Sequence, residues 1–286
     1  AARLHGRARP DGIIGWNAAI AVPDVGAGFA ARNVSGLLGR PSEGAGAIEG
    51  AVDLPYAIPN IRVAHALADC TAPLGFWRSV GHSFTGFIVE SFVDELAASA
   101  GADPGQFRLA MLKDRPRHAA VLAQVLEMGG PLGRDPGNDG EPGAPVVARG
   151  LALVESFGSI VAQIAEVEVL PKQRPRVRRV WAAIDCGRVI NPDTVAAQVE
   201  GGIVFGLSAA LFGRITFKDG RVEQDNFHAY PLVTMADCPD IEVQIIPSDA
   251  DPGGVGEPGT PPIAPAVANA LFAATGKRWR NLPFFA

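Results

Sequence analysis

Glycine and proline recur so often in this chain, 34 and 24 times in 286 residues, that no apolar pattern runs far before it is interrupted. Such punctuation restricts the fold to short strands, moderate helices and many turns, because glycine adopts backbone angles closed to other residues and proline removes a donor. Every long apolar stretch is cut by Gly, Glu or Pro, so none is expected to span a membrane.

The blocks between the breaks have distinct periods. Residues 1–60 carry Gly-rich stretches, Val25-Gly26-Ala27-Gly28 and Ser42-Glu43-Gly44-Ala45-Gly46, between short apolar runs, which predicts strands and long loops. From Ser83 the period becomes helical: Phe84, Phe87, Ile88, Phe92 and Leu96 share a face, with Ser83 as N-cap and Gly101 as stop. Asp103-Pro104 opens a second helix, and a third runs from about Arg117 to Met128. The Gly-, Pro- and Asp-rich stretch from Gly129 to Pro145 is a surface connection between two subdomains, 1–128 and 146–286.

The second half alternates. Residues 149–156 and 160–169 predict an antiparallel hairpin turning at Phe157-Gly158-Ser159, followed by a strand over Val177–Ile184. Asn191-Pro192 starts a small-residue helix reaching about Leu211, with Asp185 and Asn191 orienting the turn before it. A hairpin over Phe212–Phe217 and Arg221–Gln224 follows, then a strand over Ile241–Ile246. Thr260-Pro261 makes an N-cap and first turn for a final helix ending at Gly276. Strands and helices in this mixed order predict an α+β architecture of two-layer subdomains, with mixed sheets and packed helices.

Composition excludes several function classes. With 48% hydrophobic and 19% charged residues the chain is globular, and a formal net charge of -5 gives no bulk attraction to nucleic acid or an anionic membrane. Cys70, Cys186 and Cys238 are far apart, with no Cys-x-x-Cys pair, so neither a disulfide framework nor an iron–sulfur site is encoded. His5, His65, His82, His118 and His228 lack the spacing of a zinc site. Gly81-His82-Ser83-Phe84-Thr85 approaches a nucleophile elbow, but Thr85 stands where the last glycine is needed and no strand precedes it. The basic run Arg174–Arg179 suits a solvated strand entrance, and Asn33-Val34-Ser35 is an acceptor triplet of a kind frequent by chance.

One segment invites a chemical reading. In Gly253-Gly254-Val255-Gly256-Glu257-Pro258-Gly259-Thr260-Pro261-Pro262 a single carboxylate stands among glycines that let a ligand approach the main chain, just before a helix whose N-terminal N–H groups face the same region. That suits an anionic ligand or transition state with an acid placed against it. Local physics equally admits a turn that feeds a helix, with Glu257 near the positive end of its dipole.

Residues 253–283 resemble the C-terminal active-site segment of the molybdenum-containing hydroxylases, the xanthine dehydrogenase and aldehyde oxidase family, in its isoquinoline 1-oxidoreductase beta-subunit type. Gly75–Ser83 with Val89–Leu96, Asp185–Pro192 and Gln198–Gly202 carry the same resemblance in family order. It implies a molybdopterin-binding fold and hydroxylation of an N-heterocycle or an aldehyde with water as oxygen donor. Molybdopterin, in its cytosine dinucleotide form, would carry the molybdenum, and 2Fe-2S clusters on a partner chain would remove the electrons. Glu257 is implied as the general base that deprotonates the molybdenum hydroxide, a task for which burial beside an anionic centre would tune a carboxylate upward. Trp77-Arg78-Ser79-Val80-Gly81 resembles the family's Phe-Arg-Gly segment against the molybdenum centre. The helix opening at Ser83 would offer its N-terminus to a phosphate or oxo group. Arg78 is a cofactor contact in this reading and, failing that, an arginine bridging backbone carbonyls between subdomains. Gln198 matches the glutamine that hydrogen-bonds the pterin, beside the backbone amides of Gly254, Val255 and Gly256; its alternative is helix-surface polarity. No residue of this chain is implied as a metal ligand.

The resemblance also implies that this is a C-terminal portion. The family's Gly-Gly-Gly-Phe-Gly and Glu-x-Gly-Gln-Gly segments, which grip the rest of the cofactor, do not occur here. Half a site is therefore expected, completed by another chain or segment, with an iron–sulfur subunit as electron partner. A non-catalytic assembly or binding module that keeps the fold is the alternative. Compartment and substrate are not encoded in these residues.

Overall fold

The computed structural model describes residues 1–33, 45–68, 70, 72–138 and 143–285. Val34 and Ser35 of the acceptor triplet, Ser42 to Gly44 of the second Gly-rich stretch and residues 139–142 of the connection lie outside the described residues.

The N-terminal block builds a three-stranded sheet. Strands β1 (Ala2–Arg9) and β2 (Gly12–Val22) pair antiparallel, and β3 (Ile61–Leu67) adds parallel to β2. Between β2 and β3 runs helix α1 (Val25–Asn33), where a loop was expected. Asp24 Oδ1 accepts from Ala27 N at 3.0 Å, a capping bond that starts the helix in spite of Gly26 and Gly28.

Helices α2 (His82–Ser99), α3 (Pro104–Ala110) and α4 (Pro116–Gly129) follow. Asp103 caps α3 through Gly105 N and Gln106 N, as its position before proline predicts. Ser83 does not cap α2. The helix begins two residues earlier than a Ser83 cap would place it, with Gly81 at the N-cap position, and the Ser83 hydroxyl donates to Val80 O at 2.6 Å.

The second sheet has five strands in the order β10-β7-β6-β5-β4. In chain order they are β4 (Gly133–Arg134), β5 (Val146–Ser156), β6 (Ser159–Val169) and β7 (Arg176–Asp185), then helix α5 (Pro192–Phe212), the two-residue strands β8 (Phe217–Lys218) and β9 (Arg221–Val222), and β10 (Asp240–Ile245). The β5–β6 hairpin turns on Phe157 and Gly158, both at positive φ, as a tight two-residue turn requires. Asn191 caps α5 by accepting from Thr194 N at 3.1 Å. Phe212 ends α5 and is not a strand residue, so the expected hairpin shrinks to β8 and β9. Strand β10 lies parallel to β7 and the other neighbours are antiparallel. The last helix, α6, spans Ile263–Thr275.

Period-two alternation buries both faces of this sheet. Ala148, Ala152, Val161, Ala165, Val180 and Ala182 face α5 and α6. Leu151, Leu153, Ile164, Trp181 and Ala183 face α2, α4 and the N-terminal sheet. Both apolar clusters draw on residues from before and after the 129–145 connection, so the two sides share a core. Gly150 lets α6 lie directly on β5: a Cβ there would sit 2.1 Å from Ala270 N. Helix α5 is long and apolar enough to cross a membrane, but Val199, Ile203 and Leu207 are fully buried in the core.

Deep charges are paired. Arg108 and Glu90, both almost inaccessible, bond at 3.0 Å, and Glu90 also accepts from the Tyr56 hydroxyl and from Leu153 N. Burial opposes the Arg108 charge, and the Glu90 carboxylate more than restores it, holding Arg108 protonated. Burial and the same carboxylate push the Tyr56 phenol well up.

Candidate functional site

The site is built where helix α5, the 77–81 segment and the 253–262 loop converge. On one face of α5, Gln198, Gly202 and Gly206 succeed each other every fourth residue. Gly202 and Gly206 admit the backbone of Gly259 and Thr260, since a Cβ at either would stand 3.1 Å from Gly259 Cα or 2.8 Å from Thr260 O. Gly259 is equally confined, a Cβ there falling 2.7 Å from Val199 O, and its carbonyl accepts from Gln163 Nε2 at 2.8 Å. The near end of the loop is tied to the β5–β6 turn: Gly254 N donates to Phe157 O at 2.7 Å, and Ser159 Oγ donates to Gly254 O at 2.6 Å.

The 77–81 segment closes on the loop from the other side. Arg78 Nε donates to Gly256 O at 2.6 Å, and its Nη2 reaches both Gln198 O and Gln198 Oε1 at 3.2 Å. Ser79 Oγ donates to Glu257 O at 2.7 Å. This grip is reached through Ser79 and Val80 at φ 73° and 44°, left-handed positions that cost about 1–3 kcal/mol each for non-glycine residues. The Trp77 and Phe205 rings lie 4.7 Å apart at the margin, both partly exposed, with the Arg78 guanidinium 5.7 Å from the Phe205 ring.

Glu257 is half-buried, and its carboxylate has no hydrogen-bond or ion-pair partner among the described residues. Its main chain, by contrast, is fixed twice, because Glu257 O also accepts from Thr260 N at 3.0 Å. Helix α6 begins only at Ile263, after Pro261 and Pro262 have made the turn. Thr260 is therefore not its cap, and the buried Thr260 hydroxyl is left without a partner. Among the donors left open in this corner by the described residues are the N–H groups of Val255 and Gly256 and the side-chain amide of Gln198, whose oxygen is turned towards Arg78. Gly254 offers none, its N–H being taken by Phe157.

The sequence-derived residues Arg78, Ser79, Gln198, Val255, Gly256 and Glu257 are thus brought together, with Trp77 at the edge. The N-terminus of α2 is not an open anion site. Glu49 Oε1 accepts from Gly81 N at 2.7 Å and approaches His82 Nδ1 at 3.5 Å, so a carboxylate of the protein already occupies it. Glu49 carried no local signal. Phe205 did, two helical turns beyond Gln198 on the same face. Asp185 accepts both Arg117 bonds, at 2.7 and 2.8 Å, and Gly187 N at 2.9 Å. Among the described residues no group of three or more His, Cys, Asp or Glu side chains is placed to hold a metal ion.

Residues 150–239 match the molybdopterin cofactor-binding domain family. The chain carries a cofactor-binding domain of the molybdenum hydroxylase family. The isoquinoline 1-oxidoreductase beta subunit of Brevundimonas diminuta is 37% identical over 229 residues, which cover 80% of this chain and 29% of that protein. A membrane-bound aldehyde dehydrogenase of Gluconacetobacter polyoxogenes, named for pyrroloquinoline quinone, is 32% identical over 242 residues, 76% of this chain and 30% of that one. The chain spans less than a third of the length of these curated relatives. The quinoline 2-oxidoreductase structure from Pseudomonas putida 86 shares the fold with a TM-score of 0.73 at 13% identity, over 96% of this chain and 59% of that one. The family-model match ends at residue 239, before the Glu257 loop. The residues present nonetheless fit a molybdopterin: two open main-chain N–H groups and an oriented amide suit its anionic and carbonyl-like acceptors, and a partnerless carboxylate stands next to them.

Proposed function

We propose that this chain is the C-terminal part of a molybdenum-dependent oxidoreductase that hydroxylates an N-heterocycle or an aldehyde with water. The observation that carries this is the partnerless Glu257 carboxylate, held by its backbone beside the open donors of Val255, Gly256 and Gln198.

Gln198 Nε2 and the N–H groups of Val255 and Gly256 would hold the pterin, in its cytosine dinucleotide form. When bound, the molybdenum centre supplies an acidified water oxygen and an acceptor for two electrons. Glu257 acts as general base, accepting a proton at a carboxylate oxygen that no described residue competes for. Arg78 turns the Gln198 amide so that its N–H2 faces outwards and steadies Gly256, which makes it a positioning residue as well as a cationic neighbour of the cofactor. Trp77 and Phe205 form an aromatic wall that keeps water from one side of the donors. Electrons leave to 2Fe-2S clusters on a partner subunit, and the remaining face of the cofactor belongs to a chain or segment outside these residues.

In the assembled complex, Glu257→Gln is expected to lower turnover by a factor of about 10² or more while molybdenum content stays at the wild-type level. Normal turnover in that variant would remove the base from this assignment.

A further inference from the structure

We infer that Ser79 is a positioning residue, a hydroxyl clamp that fixes the height of Glu257 in the site. This rests on the reading of Glu257 as base. Ser79 is wholly buried, so its side chain is not available to cofactor or substrate, and among the described residues its hydroxyl makes one bond, the 2.7 Å donation to Glu257 O. It acts in tandem with its neighbour. Consecutive residues Arg78 and Ser79 donate to the consecutive carbonyls of Gly256 and Glu257, 178 positions away, so the two peptide planes that meet at the Glu257 Cα cannot rotate independently.

The backbone points the same way. Ser79 lies at φ 73°, where glycine would sit without strain. A side chain held in that conformation, and buried, needs a compensating contact, and the bond to Glu257 O is the one present. The same carbonyl closes the turn to Thr260 N at 3.0 Å, so the clamp is transmitted to the residues that lead into α6.

Two variants separate hydroxyl from backbone. Ser79→Ala and Ser79→Gly both delete the donor, and only the second also relieves the left-handed conformation. In the full chain, hydrogen exchange of the peptide carrying Gly259 and Thr260 is expected to be about fivefold faster in both. Exchange at the wild-type rate in both, or acceleration in the alanine variant alone, would overturn the clamp. In the assembled enzyme, kcat is expected to fall about tenfold or more in both, with KM unchanged. A raised KM with kcat intact would place Ser79 against a ligand and refute positioning. Glu257→Gln measured alongside keeps the two readings apart: if it turns over normally, the base assignment fails, whereas the clamp is decided by the exchange data.

Discussion

Gly150→Ala tests how tightly the core fixes the site from behind. The new Cβ would fall 2.1 Å from Ala270 N, 2.5 Å from Ala266 O and 2.6 Å from Asn269 C, all of them backbone atoms of α6. No rotamer change relieves such a clash. Strand β5 cannot retreat either, because Leu151 and Leu153 are seated in the opposite apolar cluster. Helix α6 must therefore withdraw by more than about 1 Å to reach van der Waals separation. It would strain the bond from Asn269 Nδ2 to Leu151 O, 2.9 Å long, and open the layer behind it. Overpacking against an immobile backbone costs about 3 kcal/mol or more. At roughly 2–4 °C per kcal/mol for a domain of this size, the thermal midpoint should fall by about 6–12 °C. Scanning calorimetry or thermal unfolding followed by circular dichroism reads the shift directly. A loss below about 1 kcal/mol would show that α6 can slide on the sheet, and that the core does not fix the site from behind.

Two further outcomes follow from the charged interior. Glu90→Gln should cost about 3–5 kcal/mol, measured by urea unfolding, because it strands the inaccessible Arg108 charge; a loss near zero would mean water reaches that pair. Burial would raise the Asp185 carboxyl, but the bonds from Arg117 and Gly187 hold it below the usual carboxylate range. A group depressed in the folded state stabilises above its unfolded value, about 3.9 for Asp, and this is lost as pH falls through the folded value. Arg117→Ala should therefore raise the midpoint of acid unfolding and reduce stability at neutral pH, and an acid midpoint equal to wild type would count against the bond.

Much of the fold could be read from local chemistry because the relevant interactions are local. Asp103 and Asn191 precede proline and accept from amides two or three residues on, and the tight turn at Phe157 and Gly158 is bracketed by alternating apolar residues. The misreadings have a common physical source in partners distant along the chain. Gly26 and Gly28 suggest a loop, yet Asp24 caps a helix through them. Ser83 has the right chemistry for a cap, but the amide of Gly81 is already held by Glu49, 32 residues earlier. Within the site, the glycines around Glu257 announce a special loop without saying which serve packing: Gly253 and Gly259 are confined by Gly158 and Val199, while Gly256 faces Gln198. The bonds from Arg78 to Gln198 and Gly256 span 120 and 178 residues, and no window of sequence displays them.

That separation also orders events during synthesis. Arg78 and Ser79 leave the ribosome 178 residues before Gly256 and Glu257, respectively, roughly 10–35 s at ordinary elongation rates. Throughout that interval the 77–81 segment must hold, or wait to adopt, its left-handed turn without the carbonyls that reward it. The corner where Arg78, Ser79, Gln198 and the Glu257 loop meet is consequently among the last parts of the molecule to close. A truncated translation product lacking the 253–262 loop contains every strand of the N-terminal and central sheets, yet it presents neither the two main-chain donors nor the carboxylate. On the proposed function, cofactor capture waits for the 253–262 loop.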